Sequence, residues 1–320
     1  YTGGVGHWLF EPQSTNLITY SSDFSNSYWS KLGSPTVTLN YGTSPDGQNN
    51  SVRIQGNSST IIYNNGGFSA TDGRSMYVKA TSGSGSIQLL SNFNNTDNVF
   101  SIDENWKRVE INTSSSATST FYAVDMRGAS TDIFDIEIWG AQIENLSFAT
   151  SYIPTNGSTV TRLQDAAFGA GSSDLINSTE GVLYAEIAAL ANENVQRISS
   201  ISDGTANNTI QLGFLNSATN YKFFASVRVG GSFQAFMTYD FGAVQPTFKK
   251  CAVKYKQNEF ALWIDGVEVS TDTSGNVPTG LNELSFDRGD GGQDFFGKTK
   301  CVAVFKEALT DAELTCLTTI

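Results

Sequence analysis

The chain has 320 residues, 39% of them hydrophobic and 16% charged, with a formal net charge of −12. That length favours two domains of about 150 residues each, and the hydrophobic fraction suffices for packed cores, which excludes a wholly disordered chain. No basic stripe interrupts the acidic balance and no apolar run approaches the roughly 20 residues of a bilayer span, so nucleic acid and membrane insertion are both excluded as expectations. Abundant Gly, Ser, Thr and Asn suit short strands joined by polar turns better than long helices. Tyr1 is not an initiator Met, and the chain is expected to begin inside a longer gene product or after processing.

In chain order, Gly3, Gly4 and Gly6 open a lead over residues 1–12 that is expected to be flexible. Alternating apolar and polar residues then mark strands at 36–41, 51–54, 75–80, 86–90, 106–111, 119–126 and 133–139, with turn formers such as Ser44-Pro-Asp-Gly47 between them. Period-two alternation with turns every 8–12 residues or so is the pattern of an antiparallel sandwich. Pro154 pushes Ile153 towards an extended conformation and Asn156-Gly157 supplies a turn, so residues 151–178 read as a linker. A second strand series follows at 181–187, 197–204, 209–214, 222–228 and 232–239. Phe260 to Val269 carries Asp265-Gly266, the pair preferred in a two-residue type I′ hairpin. Thr310 and Glu313 form a Thr-x-x-Glu capping box ahead of Leu314 and Leu317, which predicts one short C-terminal helix with its apolar side on the sandwich. Cys251 and Cys301 begin strand-like runs, which favours buried free thiols over a disulfide involving Cys316.

Two stretches carry a family resemblance. Leu9-Phe-Glu-Pro-Gln-Ser-Thr-Asn-Leu17 with Tyr20-Ser-Ser-Asp-Phe-Ser-Asn-Ser-Tyr-Trp29, and Trp139-Gly-Ala-Gln-Ile-Glu144 with Ala149-Thr-Ser-Tyr-Ile-Pro-Thr155, resemble the opening and end of carbohydrate-binding-module-like jelly rolls in bacteriophage tail-fibre and bacterial surface proteins. The 260–269 hairpin, Leu284-Ser-Phe286 and Val304-Phe-Lys-Glu-Ala-Leu-Thr-Asp-Ala-Glu-Leu314 resemble the concanavalin A-like lectin/glucanase superfamily, of the laminin-G-like kind. The expected architecture is all-β: two antiparallel jelly-roll sandwiches in tandem, over 13–150 and 179–320. Fold alone does not give function.

Candidate chemistry is sparse. His7 is the only histidine, so a multi-histidine metal site cannot form, and no nucleophile elbow supports a triad. Asp135 and Glu137 share a strand face at about 6.5–7 Å, a spacing compatible with glycosidase carboxylates. Their third acidic partner in lectin-like glucanases is replaced here by Trp139, and a solvated acidic edge is favoured. Asp287, Asp290 and Asp294 lie in a Gly-rich loop that offers hard oxygen ligands to Ca²⁺, weighed against a plain exposed turn. Aromatic faces stack on the C–H faces of sugars, and Tyr28, Trp29, Tyr221 and Tyr239 are the candidates for glycan binding, against core packing. Trp106, Trp139 and Trp263 sit in strand patterns and read as core or edge packing. The resulting expectation is a non-enzymatic fibre or adhesin protein of a virion or cell surface, extracellular and oligomeric. It would bind glycans or host surface polysaccharide; the alternatives are a self-assembling structural subunit and a polysaccharide-degrading enzyme.

Overall fold

A computed structural model describes residues 6–69, 71–90, 98–111, 121–128, 131–190, 195–215, 219–244 and 246–319. The chain forms two units, and both are antiparallel β-sandwiches. One unit is Gln13–Leu163; the other joins the segment ending at Pro12 to Gln164–Ile320. The first sandwich is therefore inserted into the chain of the second, where a simple tandem with a linker at 151–178 was expected.

In the first sandwich, one sheet runs Lys107–Ile111, Gly73–Ala80, Asp135–Glu144, Val52–Gln55, Thr36–Thr38, and the facing sheet runs Ser30–Leu32, Ile61–Asn64, Tyr122–Asp125, Gly85–Leu90, Val99–Ile102. Inward residues alternate as the pleat demands: Val52 and Ile54, Met76 and Val78, Val109 and Ile111, Ile136 and Ile138 all enter one core. The expected linker does not behave as one. Val160–Arg162 pairs with Ser14–Asn16, and Ile153 is buried inside this unit.

The second sandwich packs a six-stranded sheet on a five-stranded one, with Leu183, Ala185, Ile187, Leu212, Phe223, Val253 and Leu262 in its core. Asp265 and Gly266 both take positive φ, 49° and 83°, as a type I′ turn requires. The helix Asp311–Thr318 has both halves of its capping box, and Leu314 packs on Val182, Tyr184 and Trp263. Cys251 is buried as expected, whereas Cys301 and Cys316 are exposed; all three are free thiols. Cys301 departs from the expectation because it pairs with Glu186 on the face opposite Val302 and Val304, which pack on the core.

The N-terminal lead is the clearest departure. Residues 1–5 lie outside the described residues, but Trp8–Phe10 is an edge strand paired with Gly297–Phe305. Phe10 stacks on Phe286 at 4.6 Å and meets Phe295 edge-on at 6.3 Å. Just beyond it, the Glu11 N–H donates to the Asp165 carboxylate at 2.8 Å and the Asp165 N–H donates to the Glu11 carbonyl at 2.9 Å. Those reciprocal bonds close the neck through which the chain leaves the second sandwich and returns to it. Phe10→Ala should lower the unfolding free energy of the second sandwich by about 2 kcal/mol, given partial burial of the ring. Urea unfolding of the full chain checks this, and a change below the error would mean that the strand is dispensable.

Candidate functional site

The site begins with one extra residue. The Asp135–Glu144 strand pairs with Gly73–Ala80 as far as Trp139 opposite Tyr77, and then the register shifts before Gln142 opposite Ser75. Gly140 absorbs the bulge at φ +70°, where a side chain would be strained and its Cβ would lie 3.3 Å from the Tyr152 ring. Alternation with the inward Ile136 and Ile138 puts Trp139 on the outer face, and the bulge after it returns Ala141 and Ile143 to the core. Trp139 then meets Tyr77 at 5.4 Å and Tyr152 at 4.4 Å between ring centroids, both tilted.

Tyr152 is carried by the Thr150–Thr155 segment, which a buried polar clasp fixes in place. Asn16 donates to the carbonyls of Ala141 and Ile153 and accepts from the N–H groups of Ile18 and Ile143. Gln142 accepts from the Ile153 N–H at 2.7 Å and donates to Glu144 at 2.7 Å, and Glu144 accepts from both the N–H and the hydroxyl of Thr150. Asn16, Gln142 and Glu144 are all fully buried. The Tyr152 hydroxyl shares hydrogen bonds with Ser21 and Ser22 at 2.6 and 2.9 Å, and burial pushes its pKa up.

Facing these rings is the Ser44–Asn50 turn. Burial raises the pKa of Asp46, but hydrogen bonds from the Ser44 hydroxyl, the Gln48 N–H and the Asn50 amide outweigh it and hold the carboxylate below its usual range. Trp106 ties the base of this turn by donating its indole N–H to the Thr43 carbonyl at 2.9 Å. Between turn and rings lies a cleft of about 450 Å³, lined by Ser22, Pro45, Asp46, Asn50, Tyr77, Trp139, Tyr152 and Pro154. A second hollow of about 390 Å³ shares Ser22, Asn50, Tyr152 and Pro154 with it and continues to Asp23 and Asn156. Two polar atoms of cleft-lining residues have no hydrogen-bond partner: the Trp139 indole Nε1 and Asn50 Oδ1. Buried polar groups are seldom left so, because each unmade bond costs about 1–3 kcal/mol.

The residues expected to bind glycan fall elsewhere. Trp29 is a correction: it is 2% exposed, stacked on Phe24 at 4.8 Å, with its indole N–H donating to the Tyr20 carbonyl, so no face of the ring is free. Tyr28 is half-buried against the same core, and burial raises its pKa. Tyr221 packs on the core of the second sandwich. Tyr239 is exposed and lines a separate hollow of about 430 Å³ with Phe241, Lys249, Asp265 and Glu268.

The three loop acids do not converge on a calcium ion. Asp290 is engaged by Arg288 at 2.6 Å, Asp287 caps the Gly289 N–H, and Asp294 accepts from Gln164 at 3.0 Å. No group of three potential metal ligands occurs among the described residues. Asp135 and Glu137 are neutralised in place: Arg53 grips Asp135 through two bonds, and Lys79 lies 2.9 Å from Glu137, which also accepts from Ser51. Hydrogen bonding from Arg53 lowers the pKa of Asp135. His7 packs edge-on against Phe248.

Tyr77, Asp46, Asn50 and Tyr152 were not singled out from the sequence as site residues; Trp139, expected to pack, is 5% exposed and does pack on Tyr77 and Tyr152 while lining the cleft. The signal that marks them is Trp139-Gly140, a strand tryptophan followed by a residue free to bulge, together with the Tyr152-Ile-Pro-Thr155 segment.

No protein-family model and no curated protein sequence matches the chain. Solved structures show similarity at low identity. A Ruminococcus gnavus IT-sialidase CBM40 bound to α2,3 sialyllactose is 19% identical, with a TM-score of 0.37, over 48% of this chain and 94% of that one. A leech intramolecular trans-sialidase is 19% identical, with a TM-score of 0.36, over 45% and 24%. Mouse laminin α1 domains LG4-5 are 9% identical, with a TM-score of 0.30, over 95% and 90%. At such scores none of them transfers a ligand or an activity to this chain.

The clasp yields a direct test. Gln142→Ala leaves the Ile153 N–H and the Thr150 carbonyl without that partner in a buried setting, and should cost about 2–3 kcal/mol. Urea unfolding followed by tryptophan fluorescence measures it; a cost under about 0.5 kcal/mol would show that water replaces the amide.

Proposed function

We propose that the chain is a non-enzymatic glycan-binding protein of an extracellular surface, whether virion or cell, and that the cleft beside Trp139 holds the sugar. One observation carries this: three aromatic rings gathered at a cleft whose walls also hold an ionised carboxylate. Aromatic planes suit the C–H faces of a pyranose, and Asp46, Asn50 and Ser22 supply hydrogen-bonding groups for its hydroxyls. A cleft of about 450 Å³ lies within the usual size range for small-ligand sites. The absence of catalysis is part of the proposal. It is supported by Arg53, whose hydrogen bonds lower the pKa of Asp135, since a general acid needs a raised one.

A second reading, self-assembly into a filament or capsid decoration, draws on a different observation. The edge strands Ser232–Asp240 and Val267–Asp272 of the second sandwich leave Phe233, Phe236, Tyr239 and Val267 exposed. Unpaired strand edges and exposed apolar residues favour association with another chain.

Screening on a glycan array followed by calorimetry tests the first reading. Asn50→Ala and Tyr77→Ala should each weaken binding at least about ten-fold, the usual reach of removing a central contact, without altering the fold. Undiminished binding in both variants would remove the cleft from the account, and release of reducing sugar from a bound polysaccharide would overturn the non-enzymatic assignment.

A further inference from the structure

We infer that this cleft selects uncharged sugars over anionic ones, an inference that rests on the glycan reading above. The lining of the main cleft and of the adjoining hollow includes Asp46 and Asp23 and no Lys, Arg or His. A sugar carboxylate placed there would find no cation to receive it.

The cations on the same sheet face are already committed. Arg53 is held by Asp135 at 2.6 Å and Lys79 by Glu137 at 2.9 Å. Arg108 lies 3.4 Å from Glu110 and also donates to the Ser75 hydroxyl and the Thr150 carbonyl. Freeing any of them for a ligand would strand its acid partner, and Glu137 is almost wholly buried. The surrounding unit gives no help at long range, since Gln13–Leu163 carries 8 Lys and Arg against 12 Asp and Glu, a net of −4.

The polar atoms on offer suit a neutral polyol instead. The Asp46 carboxylate accepts hydrogen bonds and the hydroxyl of Ser22 donates or accepts them. A sugar hydroxyl satisfies both kinds, whereas a carboxylate only accepts. Hydrogen bonds from Ser44, Gln48 and Asn50 fix the Asp46 carboxylate in position, so it cannot readily turn away from an incoming charge. Two like charges about 7 Å apart at a partly exposed site weaken binding by about five-fold.

The test uses matched probes: lactose with 3′-sialyllactose, and galactotriose with trigalacturonate, alongside an array of neutral oligosaccharides and their sialylated or uronic-acid counterparts. Each pair that binds the full chain is then measured by calorimetry at low and high salt. The neutral member should bind about five-fold tighter or better, and the ratio should shrink at high salt, where a Debye length of about 3 Å screens the repulsion. Asp46→Asn, which keeps the side chain's shape, should shrink the same ratio. Equal or tighter binding of the anionic member overturns the selectivity while leaving the glycan site standing. A neutral preference that neither salt nor Asp46→Asn alters overturns its electrostatic origin. Failure of every probe to bind overturns the glycan reading, and the selectivity with it.

Discussion

Asn16, Gln142 and Glu144 hold the Thr150–Thr155 segment against a bulged strand from positions with no solvent access. Each amide uses both its donors and its acceptor, so the segment is placed by geometry, and apolar packing alone would not fix it so closely. The bulge at Gly140 and the clasp act together. The first resets the strand behind the outward Trp139 and brings Gln142 to the clasp; the second lays Tyr152 across Trp139. Without the clasp, residues 150–155 would be an ordinary connection following a long strand, and the cleft would lose one wall.

The outer face of the same sheet shows how charge is handled where acids and bases crowd together. Arg53 with Asp135, Lys79 with Glu137 and Arg108 with Glu110 form pairs of neighbours, and Arg53, Lys79 and Arg108 also lie over the rings of Tyr41, Trp106 and Tyr77. The half-exposed pairs of Asp135 and Glu110 contribute little stability each, whereas Glu137 is buried and depends on its partner. Their larger effect is on chemistry. They engage the two carboxylates whose spacing invites comparison with a glycosidase, and the three cations of that sheet face. Asp46, held by a hydroxyl, an N–H and an amide, keeps its charge unopposed.

What the sequence discloses depends on how local the cause is. Asp265-Gly266 makes its hairpin because two adjacent residues tolerate positive φ, and Thr310 with Glu313 caps its helix within one turn. Strand periodicity disclosed two sandwiches for the same reason. The pairing of Trp8–Phe10 with Gly297–Phe305 spans nearly the whole chain, and a Gly-rich lead gives no hint of its partner. The cleft fails to announce itself for a related reason: Asp46, Tyr77, Trp139 and Tyr152 come from four separate places. Alternation with Ile136 and Ile138 inward already places Trp139 outside the core; what the sequence does not announce is the extra residue at Gly140, which returns Ala141 and Ile143 to the core. Trp29 misleads in the opposite sense, since its polar neighbours in sequence are not its neighbours in space.

The central claim is that a sugar contacts the aromatic cleft of the first sandwich. The chain has five tryptophans, so five indole N–H signals report on it separately in a two-dimensional ¹⁵N–¹H spectrum. Titration with a neutral oligosaccharide that binds should shift the Trp139 signal most, since its ring lines the cleft, and should leave the core Trp29 signal in place. A saturable shift at Trp263 or Trp8 with Trp139 unmoved would contradict the account and place the ligand in the second sandwich.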